Sequence, residues 1–204
     1  MNKLFINKLQ SIGISYQEYY SLTKKEVESS IQEALDETNK ILNESRKLNL
    51  HRMERIGKHY LVSEELKKIV SSINKKQIWM IITENWCGDS PQNIPYFAKI
   101  AELNPKIEFR IILRDSNPDI MDLFLTNGTR SIPILVGFDE NGNELFRWGP
   151  RPKEAQKLFA DLKAQGLEKS YIIEKLHLWY GRNRGKNLEL ELMEMLNAVS
   201  PNTI

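Results

Sequence analysis

The chain has 204 residues, 41% of them apolar, enough to bury one substantial core and too few to demand several domains. Its 29 Lys and Arg against 27 Asp and Glu leave a net charge near +2. That lacks the concentrated positive field of a nucleic-acid binder and names no polyanionic partner. The apolar residues of "MNKLFINKLQ" are interrupted by Asn7 and Lys8, and the longest unbroken apolar run is Ile78 to Ile82. Neither a secretory leader nor a membrane span is expected, and the chain reads as a soluble cytoplasmic protein.

Residues 14–75 are rich in Lys and Glu, with Val27, Ile31, Leu35 and Leu42 at helical spacing, which predicts two or three amphipathic helices. The pattern then changes. "QIWMIIT" from Gln77 reads as a strand buried on both faces. A helix from about Pro91 to Leu103 follows, then "KIEFRIILR" as a strand and "NPDIMDLFLTNG" as a short helix stopped by Asn127 and Gly128. "IPILVGFD" is a further strand. Asn141 and Gly142 predict a tight hairpin turn with positive φ at both positions, which makes the last strand antiparallel to its predecessor. "PKEAQKLFADLKAQG", "SYIIEKLHLWYG" and "NLELELMEMLNAV" read as helices, with "GRNRGK" as a solvated loop between the last two. The expected division is a helical extension over 1–72, an α/β domain over 73–166 and a second helical extension over 167–204 packed on it.

The chain's only cysteine, Cys87, stands in "ITENWCGDSPQNIP". A single cysteine builds no internal disulfide, which suits a reducing compartment and leaves either inert core filler or a reactive thiol. At the start of a helix a thiol faces unpaired N–H groups and the positive end of the dipole, both of which favour thiolate. Asp89 opposes this by repulsion, so a modest downward pKa shift at most is expected. Ser90 fills the place of a second cysteine. Its hydroxyl can hydrogen-bond a thiolate but cannot expel a bound partner as an internal disulfide. His51, His59 and His177 have no ligand partners at metal-binding spacing, and no metal is expected.

The element order, with Trp86-Cys87-Gly88 after the first strand, Pro95 eight positions beyond the cysteine, "RSIP" at 130–133 and Gly149 after the last strand, resembles a thioredoxin over residues 73–166. "TENWCGDS", "RDSNPDIMDLFLTNGTRSIP", "WGPRP" and the upstream "NLHRMERIGK" resemble, more narrowly, a bacterial thioredoxin-like family with a WCGD frame that often lacks the second cysteine. The resemblance implies a central mixed sheet flanked by helices and a cis Pro133 beside the thiol. It implies Cys87, Ser90 and Pro133 as the reacting centre, and a substrate surface of Trp86, Ile132, Arg114, Trp148 and Arg151. The buried aspartate and the lysine that thioredoxins carry near the site correspond to Ile81 and Ile111, losses that suit a site without a resolving step or one without redox function.

Alternatives stand beside these assignments. Trp86 and Trp148 either form a groove over the sulfur or are core-edge aromatics. Arg114 and Arg151 either recognise an anionic thiol or acidic segment, or simply pair with Asp115 and Asp89. The favoured function is monothiol disulfide exchange through Cys87 with a disulfide-containing protein or a low-molecular-weight thiol, the latter regenerating the enzyme as co-substrate, and with no resident cofactor. A redox-silent binding module is the alternative. An iron–sulfur carrier is less favoured, because "DENGNELFRWGPRP" lacks the Gly-Gly and acidic motif that such carriers place there.

Overall fold

The computed structural model describes residues 1–29 and 37–199. Ile31 and Leu35, part of the predicted helical periodicity, lie outside the described residues. The chain opens with α1 (Lys3–Ile12), α2 (Tyr16–Ser29), α3 (Glu37–His59) and α4 (Glu64–Ser72). The Asn2 side chain caps α1 by accepting from the Phe5 N–H, and Ser63 caps α4 in the same way through Leu66.

The sheet contains β1 (Gln77–Thr83), β2 (Ile107–Leu113), β3 (Ile134–Asp139) and β4 (Glu144–Trp148), in the order β2-β1-β3-β4. β1 runs parallel to β2 and antiparallel to β3, and β3 and β4 are antiparallel. Every residue of β1 is buried, which is why its sequence reads as an unbroken apolar run. Alternation divides that run between two cores. Trp79 and Ile81 face a core with Tyr19, Met53, Phe97 and Leu192, whereas Ile78, Met80 and Ile82 face one with Leu9, Phe124 and Cys87. The outer edge of β2 meets Ile14, which exchanges both backbone hydrogen bonds with Ile111 at 2.9 and 2.8 Å, so the segment between α1 and α2 covers part of that edge.

The remaining helices are α5 (Ile94–Ala101), α6 (Pro118–Met121), α7 (Lys153–Ala164), α8 (Lys169–Asn183) and α9 (Lys186–Ala198). This is the expected α/β arrangement of a mixed sheet flanked by helices, with helical extensions.

Several local expectations are corrected. The helix predicted from Pro91 to Leu103 is a 3₁₀ turn at Ser90–Gln92 followed by α5, separated by Asn93 at φ −130°. Pro95 accounts for the break: in a helix interior it would remove a hydrogen bond and clash with the preceding turn, whereas in the first turn of α5 its missing N–H costs nothing. The helix predicted over 117–128 is the single turn of α6, after which Leu123 and Phe124 bond back three residues to Ile120 and Met121, a tightening that keeps Phe124 fully buried. At the hairpin only Gly142 has positive φ, at 85°. Asn141 does not need it, because the Asp139 carboxylate accepts from the N–H groups of Asn141 and Asn143 and shapes a longer loop. "GRNRGK" is largely helical: α8 runs to Asn183 and α9 begins at Lys186, with only Arg184 and Gly185 between them, both in the left-handed region.

Candidate functional site

Cys87 lies in the loop between β1 and the 3₁₀ turn. Its N–H reaches the Glu84 carbonyl at 3.3 Å, and its Sγ lies 3.5 Å from the Ile132 carbonyl oxygen. The Ile132–Pro133 peptide is cis, as is Gly149–Pro150. Cys87 is only 9% exposed. Burial pushes its thiol above the ordinary value and Asp89 adds to that, while the Ser90 hydroxyl and the N–H groups of Asp89 and Ser90 oppose them. The expected downward shift is therefore corrected. Cys87 precedes α5 by seven residues rather than opening it, so the full helix dipole does not act on the sulfur and desolvation prevails.

Ser90 is fully buried and accepts a 2.6 Å hydrogen bond from the Thr83 hydroxyl, which places it at the end of β1 beside the cysteine loop. Trp86 is half-buried against the same core as Cys87, with the Arg114 guanidinium 4.8 Å above its ring. Arg114 is paired with Asp115 at 2.8 Å and donates to the Arg130 carbonyl. Arg151 pairs with Asp89 at 2.6 Å and stacks over Phe159. Both guanidinium groups are thus occupied by the neighbouring aspartates.

Trp148 is not brought to the thiol. Alternation along β4 turns it, with Phe146, toward the other face of the sheet. There it packs edge-on against Phe97 and donates to Glu191 of α9 at 2.7 Å. It is a core-edge aromatic.

The helical extensions supply site neighbours that sequence reasoning missed. From α3, the Asn49 amide donates to the carbonyls of Asn85 at 2.8 Å and Cys87 at 3.2 Å, holding the loop by its backbone. Arg46 donates to the Asn85 side chain and pairs with Glu26 of α2, and Asn85 donates to Glu26. Tyr19 of α2 is buried; burial and then the neighbouring Cys87 push its phenol up, and Thr83 opposes them. From α8, Tyr180 donates to Asp89 Oδ1 at 2.9 Å, and Asn93 donates to both the Asp89 carbonyl and the Tyr180 hydroxyl. Burial pushes the Asp89 carboxyl up, against the pull of Arg151 and Tyr180. His177 shares a 3.2 Å hydrogen bond with Gln92 and lies 3.5 Å from where a Cβ at Gly88 would stand. The one sequence signal for these contacts was "NLHRMERIGK", which contains Asn49 and Arg52. The other partners lie in ordinary amphipathic helices.

A family profile described as thioredoxin matches residues 35–163, more than half of the chain. Among solved structures, an HIV epitope-scaffold is similar with a TM-score of 0.61 and 17% identity, covering 95% of this chain and 98% of its own. A Pseudomonas aeruginosa protein of unknown function is similar with a TM-score of 0.54 and 18% identity, covering 88% of this chain and 97% of its own. Likeness at these identities concerns the fold alone. No curated protein matches this chain. Among the described residues no helix is long and apolar enough to cross a membrane.

Proposed function

We propose, from the premise that this chain belongs to the thioredoxin family, that it is a monothiol disulfide-exchange protein of the reducing cytoplasm acting through Cys87. The observation that carries the reading is the position of the Cys87 sulfur, 3.5 Å from the Ile132 carbonyl, in a chain with no other cysteine. An extended segment laid along residues 131 and 132 brings a disulfide to that sulfur. In the first step Cys87 loses its thiol proton to solvent and attacks one sulfur of the disulfide. A Cys87–S–S–R bond forms, the R–S–S–R′ bond breaks, and R′S⁻ leaves and is protonated. In the second step an external thiol R″SH loses its proton and attacks the R sulfur: an R″–S–S–R bond forms, the bond between the Cys87 sulfur and the R sulfur breaks, and Cys87 leaves as thiolate and is reprotonated from solvent. Ser90, fully buried and held by Thr83, supports this division because it offers no second sulfur. The partners are a disulfide-containing protein and a low-molecular-weight thiol, with no resident cofactor.

A second reading, a redox-silent module that binds a protein partner, is favoured by the burial of Cys87 and its raised pKa. Ser90→Cys and thiol titration separate the two. Under exchange, wild type accumulates mixed disulfides that survive non-reducing electrophoresis without catalytic insulin reduction, and Ser90→Cys clears them. Absence of adducts in wild type after exposure to glutathione disulfide would sink the exchange reading in favour of the silent module.

A further inference from the structure

Away from Cys87, the ends of α3, α8 and α9 line a cleft, open to solvent on one side, of about 760 Å³. Its size falls within the roughly 300–1,000 Å³ of small-molecule sites. Its floor is aromatic: Tyr60, Tyr96 and Tyr180 are all buried, with Tyr60 and Tyr96 edge-to-face at 4.5 Å. Its rim is cationic: Arg55, Arg184 and Lys186 are exposed and have no ion-pair partner among the described residues. The one carboxylate lining it, Glu189, is buried and already accepts from the Tyr60 hydroxyl and the Ser63 N–H. The three cations outnumber that carboxylate, so the lining keeps a net positive charge.

The turn that presents two of these cations is a built feature. Arg184 adopts φ 52° and Gly185 φ 84°, and a Cβ at Gly185 would stand 2.4 Å from the Tyr96 ring. The left-handed Arg184 ends α8, with its N–H donating to the Tyr180 carbonyl. The turn fits tightly over the tyrosine floor and sets Arg184 and Lys186 on either side of the glycine.

From this arrangement we infer that the cleft binds a small organic phosphate of nucleotide size, with its organic body against the tyrosine-lined base and its phosphate held by Arg55, Arg184 and Lys186. Guanidinium groups and an ammonium match a phosphate dianion through charge-assisted hydrogen bonds, and an aromatic floor suits a planar ring. Tyr180 of its lining also donates to Asp89 of the cysteine loop, but phosphate binding in the cleft uses no atom of Cys87 and stands or falls separately from the exchange chemistry.

The test is titration calorimetry of the full chain with ADP against adenosine and riboflavin phosphate against riboflavin. At least one phosphate probe is expected to bind about tenfold or more tighter than its phosphate-free counterpart. Arg184→Asn with Lys186→Gln, in which Asn tolerates the left-handed backbone, is expected to abolish that preference. Arg55→Gln, on the exposed surface of α3, is expected to weaken it without disturbing the turn. Cys87→Ser is expected to leave it unchanged, which separates this site from the thiol. Binding of neither form, equal binding of both, or a preference that survives the charge substitutions overturns the proposal.

Discussion

Arg151 and Asp89 form an ion pair at 2.6 Å within the fold, their side chains only 17% and 10% exposed, tying the turn after β4 to the loop that carries Cys87. Removing one partner of such a pair leaves an uncompensated charge away from water, so Arg151→Met is expected to cost about 3 kcal/mol in a urea unfolding experiment. A loss under about 1 kcal/mol, the scale of surface pairs, would show that the pair contributes as an exposed one.

The same pair bears on the thiol. Asp89 is the second cause, after burial, of the upward shift at Cys87. Asp89→Asn removes the repulsion and leaves Arg151 as a nearby cation, so the pH midpoint of iodoacetamide labelling is expected to fall relative to wild type. A midpoint that stays put would assign the shift to desolvation alone.

Asn49 is the contact through which α3 holds the cysteine loop. Asn49→Ala leaves the Asn85 and Cys87 carbonyls without that donor and is expected to cost about 1–3 kcal/mol. Labelling of Cys87 at fixed pH should accelerate, because the loop gains freedom on the side that α3 covers. Lost stability with unchanged labelling would mean that other contacts fix the loop.

His177 makes stability acid-sensitive. Burial lowers its pKa from 6.5 to about 4, and Arg52 and Arg151 push in the same direction. Between these values the unfolded chain takes up a proton that the folded protein resists, so stability falls as pH drops from about 6.5 toward 4. His177→Gln retains an amide partner for Gln92 and is expected to remove about 2 kcal/mol of that loss. Urea midpoints at pH 7 and 4.5 check it; equal acid losses in wild type and variant would assign the sensitivity to other groups.

Gly185 and Gly57 should respond oppositely to Ala. At Gly185 both the backbone (φ 84°) and the Tyr96 ring resist a Cβ, and a loss of about 1–3 kcal/mol is expected. At Gly57, inside α3 with nothing within 4 Å of the added atom, Ala should stabilise by about 0.5–1 kcal/mol. Thermal melts of both variants give the comparison, and a stabilised Gly185→Ala would refute the close fit of the α8–α9 turn.

The sequence by itself determined the sheet and its order of elements. Burial on both faces makes β1 a run of apolar residues, and Gly142 marks the positive φ that the hairpin loop requires. It also determined that any exchange at Cys87 lacks an internal resolving thiol, since Ser90 occupies that place. Only the tertiary structure decided the electrostatics of the site. The sequence left Arg151 either as an anion-binding group or as a partner of Asp89; the fold makes it the partner, 62 residues further along the chain, and adds a hydrogen bond to the same carboxylate from Tyr180, 91 residues along. Trp148 could not be assigned to a face from "ELFRW" alone, because alternation fixes which residues share a side and not which side meets α9. Asn49 and His177 sit in helices whose patterns signal only a buried stripe, and the cations of the α8–α9 turn sit where those two helices meet. What those polar positions touch is set by how the helices dock, and long-range packing leaves no local trace in sequence.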